Sequence, residues 1–168
     1  MQVKVAKMTR LENASKEKVV KIVQKWLTEE EYSIEPYPDV NTDYNFRIVK
    51  GNIVMHVGFH KRYEDSLIIV GKVGFNPQEQ SMLRYTKTKH ELLYELEIVF
   101  TQLNIEFRLN PIVVEGEYSI EDIQLIKTLH FDGLTKQSFF DVLGAIFNCL
   151  KLLITKFDLL GGPAPTKS

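Results

Sequence analysis

Four histidines and a single cysteine are the side chains of this sequence best suited to metal ligation or to nucleophilic and acid–base chemistry near neutral pH. His56 and His60 stand four residues apart, a spacing that on a helix would bring two imidazoles to one ion. They fall instead in Ile53-Val54-Met55-His56-Val57-Gly58-Phe59-His60, where the apolar residues Ile53, Met55, Val57 and Phe59 alternate with the others as in a strand. Four strand residues span roughly 13 Å, too far for both rings to reach one ion through bonds of about 2 Å. No carboxylate occupies a supporting position, so the pair reads as part of an exposed sheet face and no metal site is expected. His130 follows the outward parity of its strand, and His90 sits among Lys87, Lys89 and Glu91, so both read as solvated. Cys149 lies between Asn148 and Leu150, with no positive group beside it to stabilise a thiolate, and reads as a small buried hydrophobe.

Other patterns carry no stronger chemistry. Gly71 and Gly74 in Val70-Gly71-Lys72-Val73-Gly74-Phe75 fit neither a phosphate loop nor a dinucleotide fingerprint. Glycine inside a strand marks a bulge or a close approach by another backbone. No G-x-S-x-G elbow appears. His60-Lys61-Arg62 and Lys87-Thr88-Lys89-His90, with Tyr63 and Tyr85 nearby, are the basic clusters that could contact phosphates and stack on bases. Overall, 21 Lys and Arg balance 22 Asp and Glu, a net charge of −1, so no global field draws in nucleic acid or an anionic membrane. Weak nucleic-acid binding therefore stands as an alternative, and so does a small-ligand or enzymatic site assembled from scattered residues such as Arg47, His56 and His60. Neither a catalytic residue nor a cofactor is assigned.

The elements that would position these residues follow from periodicity. An amphipathic helix runs from about Lys16 to Glu29, capped by Asn13 or Ser15, with Val19, Ile22, Val23, Trp26 and Leu27 on its apolar face. A short strand at Tyr32–Glu35 is ended by Pro36 and Pro38. Alternating strands follow through Tyr44–Val49, Ile53–His60 and Leu67–Phe75, with Lys50-Gly51-Asn52 as a hairpin turn. Asn76-Pro77-Gln78-Glu79 has the form of a capping box with proline at the first helical position. The helical region it opens runs to about Asn104, with a break near Tyr85–Lys87 and a core stripe of Leu93, Leu96, Phe100 and Leu103. A strand through Ile105, Phe107 and Leu109 is ended by Asn110-Pro111. Residues 112–122 are ambiguous between an extended segment and a turn. Ile123, Leu125, Leu129 and Phe131 mark another strand, Asp132-Gly133 turns the chain, and Thr135 caps a last helix to about Asp158. The order αββββαββα, with sequential antiparallel strands and helices on one face of the sheet, is an α+β fold.

The last helix carries more apolar surface than one core contact uses. Phe139, Leu143, Ile146, Phe147, Leu150, Ile154 and Phe157 make an ordinary stripe, while Phe140, Val142, Cys149, Leu152 and Leu153 widen it. Either the helix lies centrally and is covered on two sides, or the surplus is a subunit interface. A domain of this size has few layers, which favours a two-fold homodimer with Phe140, Leu143, Phe147, Leu150, Leu153 and Ile154 as candidate contacts. Asp141, Lys151, Lys156 and Asp158 interrupt the apolar run, so it reads as a buried helix and no membrane is expected.

Residues 1–160 thus read as one domain, and 161–168, with two glycines and two prolines, as a disordered tail. A lone cysteine and an N-terminus without a long apolar run point to the cytoplasm. The element order and the stretch Thr128-Leu129-His130-Phe131-Asp132-Gly133-Leu134-Thr135 ahead of an apolar helix resemble the type III secretion chaperone-like fold shared with the bacterial YbjN group. Over most of residues 15–158 the chain resembles an uncharacterised family of small archaeal proteins with that fold. The resemblance implies a dimeric, non-enzymatic binding protein that holds protein or peptide segments along apolar grooves. Secretion chaperones are strongly acidic, whereas this chain is nearly neutral.

Overall fold

The computed structural model describes residues 11, 13–51, 53–83 and 86–160. The expected tail, the N-terminal segment ahead of Leu11, Asn52, Tyr85 and the side chains of Lys87 and Lys89 lie outside the described part. Helix α1 spans Lys16–Glu29, as its period predicts. Ser15 is the cap, accepting from the Lys18 N–H, while Asn13 takes a left-handed φ of 61°. Strands β1 (Ser33–Pro36), β2 (Thr42–Lys50), β3 (Ile53–His60) and β4 (Ser66–Gly74) follow as a meander. Helix α2 (Pro77–Met82) starts at the expected capping box: the Glu79 N–H donates to Asn76 Oδ1 at 3.0 Å, and the Asn76 N–H to Glu79 Oε2 at 2.7 Å. Helix α3 covers Thr86–Gln102. Leu103 falls past its end and is 50% exposed, so it leaves the core stripe expected of it. The chain turns there through Asn104, whose φ of 55° carries it out of the helix.

Strand β5 (Glu106–Val114) does not stop at Asn110-Pro111. Its register against β6 (Glu117–His130) shifts between those two residues and then resumes. Proline is tolerated because β5 is an edge strand, where a missing N–H deprives no neighbour of a hydrogen bond. Residues 112–122 are thereby resolved as two arms of a hairpin turned at Glu115-Gly116, both with positive φ (51° and 83°), the geometry of the tight turns that match strand twist. Phe131–Gly133 forms a 3₁₀ turn, so the buried Phe131 lies just beyond β6. Helix α4 (Lys136–Leu160) is capped by Thr135, whose Oγ1 accepts from the Ser138 N–H at 3.0 Å.

Among the described residues, six strands form one antiparallel sheet in the order β1-β2-β3-β4-β6-β5, with the described helices on one face. Alternate side chains from neighbouring strands (Ile48, Met55, Val57, Ile69, Ile123 and Leu125) point into that face and are fully buried. Helix α4 lies across β3, β4 and β6. It can sit so close because of Gly71: a Cβ built there would fall 2.6 Å from Leu150 Cδ1 and 2.8 Å from Ile146 Cγ2. Among the described residues α4 is the one helix long and apolar enough to cross a membrane. It meets the sheet at Gly71 through Ile146 and Leu150, and Phe139, Leu143, Ile146, Leu150 and Leu153 are fully buried, with a third of its apolar span inside the protein.

Candidate functional site

The polar residues singled out by type and spacing disperse over the fold. Arg47 and His56 do come together, as cross-strand partners of β2 and β3 on the face without helices. The Tyr37 ring stands edge-on to His56, with centroids 4.8 Å apart, and His56 Nδ1 is buried without a hydrogen bond among the described residues. Burial, helped by the charges of Arg47 and Lys72, lowers the pKa of His56 below its ordinary 6.5. The Arg47 guanidinium turns away to Glu35, at 2.9 Å. His60 remains apart at the end of β3, where its Nδ1 accepts from the Arg62 N–H at 3.1 Å and its ring lies against Tyr63. His90 and His130 are exposed, the latter 4.0 Å from Asp65. Among the described residues no three His, Cys, Asp or Glu side chains gather as a metal site would require. Cys149 is buried, and burial raises its thiol pKa.

Two buried charges escaped the sequence reading. Lys16, only 7% exposed, donates from Nζ to Asp43 Oδ2 at 2.7 Å, to the His60 carbonyl at 3.1 Å and to Glu64 Oε1 at 3.2 Å. Burial alone would lower its pKa, but the hydrogen bonds and charges of Asp43 and Glu64 together raise it. Asp122, also buried, meets Lys72 at 2.9 Å and accepts from the side-chain amides of Asn110 and Gln124. Both are satisfied ion pairs tying strands to neighbouring elements, with no group left over to react.

What the fold leaves unsatisfied is apolar. Of the six candidate contacts on α4, Leu143, Leu150 and Leu153 are fully buried inside the protein, and so offer no surface to a partner. Phe140, Phe147 and Ile154 remain half exposed. With Gly144 and Lys151 they recur every three or four residues and so form one flank of the helix. At its N-terminal end Phe140 stacks on Tyr32, with centroids 6.0 Å apart, and Lys136 stands 5.9 Å above it. Further along, Phe147 is bracketed by the ammonium groups of Lys50 at 5.1 Å and Lys151 at 5.4 Å, distances at which a cation is attracted to a ring. Phe147, Ile154 and Ile53 line a depression of about 360 Å³ whose rim is Lys50 and Lys151. A second depression of about 280 Å³ shares Ile53 and Ile154 and continues to Phe75 and Phe157. Lys50 and Ile53 belong to the β2–β3 hairpin, and no local pattern ties them to α4. Chemically this flank can take apolar side chains and carboxylates.

A family model described as "Uncharacterized conserved protein (DUF2299)" matches residues 3–157. No curated protein matches the chain. Among solved structures, an uncharacterized protein from Methanothermobacter thermautotrophicus is similar with a TM-score of 0.72 and 17% identity, over 84% of this chain and 98% of that one. That likeness is one of fold. YbjN from E. coli gives a TM-score of 0.49 and 7% identity over 83% of this chain and 91% of that one.

Proposed function

We propose that this chain, which belongs to the DUF2299 family, is a non-enzymatic protein-binding module that works as a homodimer in the cytoplasm. The apolar flank of α4 meets a second copy, and the sheet face without helices stays free for a protein or peptide segment. The observation that carries this reading is the half-exposed row Phe140, Phe147 and Ile154, left over after α4 has packed on the sheet. Burying the remaining third or less of three such side chains is worth at most about 0.5–1 kcal/mol each, a third of the usual value for full burial. The same row repeated on a two-fold partner doubles that gain.

The open sheet face supports the second half of the proposal. Val54, Ile68, Val70 and Ile126 are half exposed at its centre. Around them stand the ion pairs Arg47–Glu35, Lys72–Asp122 and Arg108–Glu106. An apolar centre within a charged rim is the anatomy of a protein-binding patch.

Light scattering coupled to size exclusion, run over a range of protein concentrations, tests the homodimer. The wild-type chain is expected to be a dimer and Phe147→Glu a folded monomer with unchanged circular dichroism. A wild-type chain that stays monomeric at every concentration would sink the reading.

A further inference from the structure

Gly144 sits in the middle of the apolar flank, between Phe140 and Phe147. Glycine inside a helix costs stability relative to alanine, and it leaves room for another element to approach closely. Among the described residues nothing does: a Cβ built at Gly144 meets no atom within 4 Å, in contrast to Gly71. A second copy packed on the flank would supply the close neighbour that a glycine here accommodates.

Charge says which neighbour. On the C-terminal side of Gly144 the flank is basic, with Lys50 and Lys151 over Phe147 and neither paired to a carboxylate among the described residues. On the N-terminal side it is acidic. Glu29 and Glu30 are held there by Lys136, at 3.1 and 2.8 Å. The exposed Glu31 follows, with a φ of 59° and no ion pair among the described residues, next to the Tyr32 that stacks on Phe140. Lys151 lies about 10 Å along the axis from Gly144 in one direction, and the level of Lys136 and Phe140 about 6–12 Å in the other. The flank is therefore complementary to itself when reversed end to end.

Building on the homodimer reading, we infer that the occupant of this flank is a second copy whose α4 crosses antiparallel at Gly144, so that Lys151 of each protomer faces the acidic end of α1, centred on Glu31, in the other. The two-fold axis passes by the glycine, where the absence of a side chain lets the helices approach, and each ion pair is made twice. This also assigns a role to the acidic run at the C-terminal end of α1, where the helix dipole disfavours it.

A charge swap tests the arrangement. Lys151→Glu and Glu31→Lys, each alone, place like charges at both ends of the interface and are expected to raise the dimer dissociation constant at least tenfold. Mixing the two variants restores both pairs, and with them a dimer containing one copy of each. Gly144→Leu is expected to be monomeric with unchanged helicity. Light scattering reads the mass, and native mass spectrometry of the mixture reads the composition. A wild-type dimer indifferent to all three substitutions, or a mixture that stays monomeric, keeps the homodimer reading and overturns this arrangement. A monomeric wild-type chain removes both.

Discussion

Gly71→Ala puts one methyl group where the sheet and α4 touch. The new Cβ would lie 2.6 Å from Leu150 Cδ1, 2.8 Å from Ile146 Cγ2 and 3.0 Å from Leu150 Cγ, against about 3.5–4.0 Å for carbons at rest. Relief requires about 1 Å of movement. Both neighbours are fully buried, so either α4 lifts from β4 or the two side chains leave their rotamers. Overpacking of this kind costs about 1–3 kcal/mol. Alanine returns about 0.4–1 kcal/mol by restricting the unfolded chain. The net expectation is a loss of about 1–2 kcal/mol, which for a chain of this size lowers Tm by about 2–8 °C. Urea unfolding with a constant slope is the assay. Gly74→Ala is the control, since its Cβ meets nothing within 4 Å and the backbone there is unstrained. Leu150→Ala should cost about 2–5 kcal/mol alone. Combined with Gly71→Ala it should cost at least about 1 kcal/mol less than the two losses added, because the cavity accepts the methyl. If Gly71→Ala is as stable as wild type, or if the two changes simply add, the close approach of α4 is not what the glycine serves.

Two further outcomes follow from titrating groups. Because the pKa of His56 is lowered in the fold, first by burial and then by Arg47 and Lys72, the imidazole is neutral in both folded and unfolded chains above pH 6.5 and its contribution is whole there. As pH falls, the unfolded chain takes up a proton that the fold resists, and stability declines through the folded pKa. Urea midpoints of wild type should therefore drop below pH 6.5 relative to His56→Gln, and a difference that is flat with pH would reject the burial argument. Cys149 is buried with its pKa raised by burial, so an aromatic disulfide reagent should modify the native protein far more slowly than the protein in urea. Equal rates would mean that the α4 core opens readily.

Most of the element order was legible because it rests on local signals. The two arms of the capping box lie three residues apart, and the alternation in β3 is unbroken from Ile53 to Phe59. At Pro111 and Lys16 the shortfall has one cause, dependence on a neighbour distant in sequence. Pro111 looks like the end of a strand until β5 is known to lie at the sheet edge. Lys16 marks only the start of a helix in the sequence, yet it is in phase with Val19, Val20, Val23 and Leu27, and the groups that neutralise it come from Asp43 and Glu64. That phase was the available signal. A lysine on the core face of a helix asks for a carboxylate from elsewhere.

The flank of α4 marks where sequence reasoning necessarily ran out. Leu150 and Phe147 are both apolar and lie within one turn of each other, yet one fills the space beneath Gly71 while the other stands half in water beneath two lysines. Composition cannot separate them, because the difference lies in what the β2–β3 hairpin and β4 place opposite each side chain. Gly144 carried the same ambiguity. Its neighbours Leu143 and Ala145 gave no reason to treat it as anything but a gap in an apolar helix. Gly71 is required by α4, whereas Gly144 has no close neighbour among the described residues, which is the contrast that the proposed second copy would explain. The surplus apolar surface is therefore not a property of the helix as a whole. It belongs in part to the flank of α4 that borders the β2–β3 hairpin, and that is the flank on which the substitutions at Gly144, Phe147 and Lys151 act.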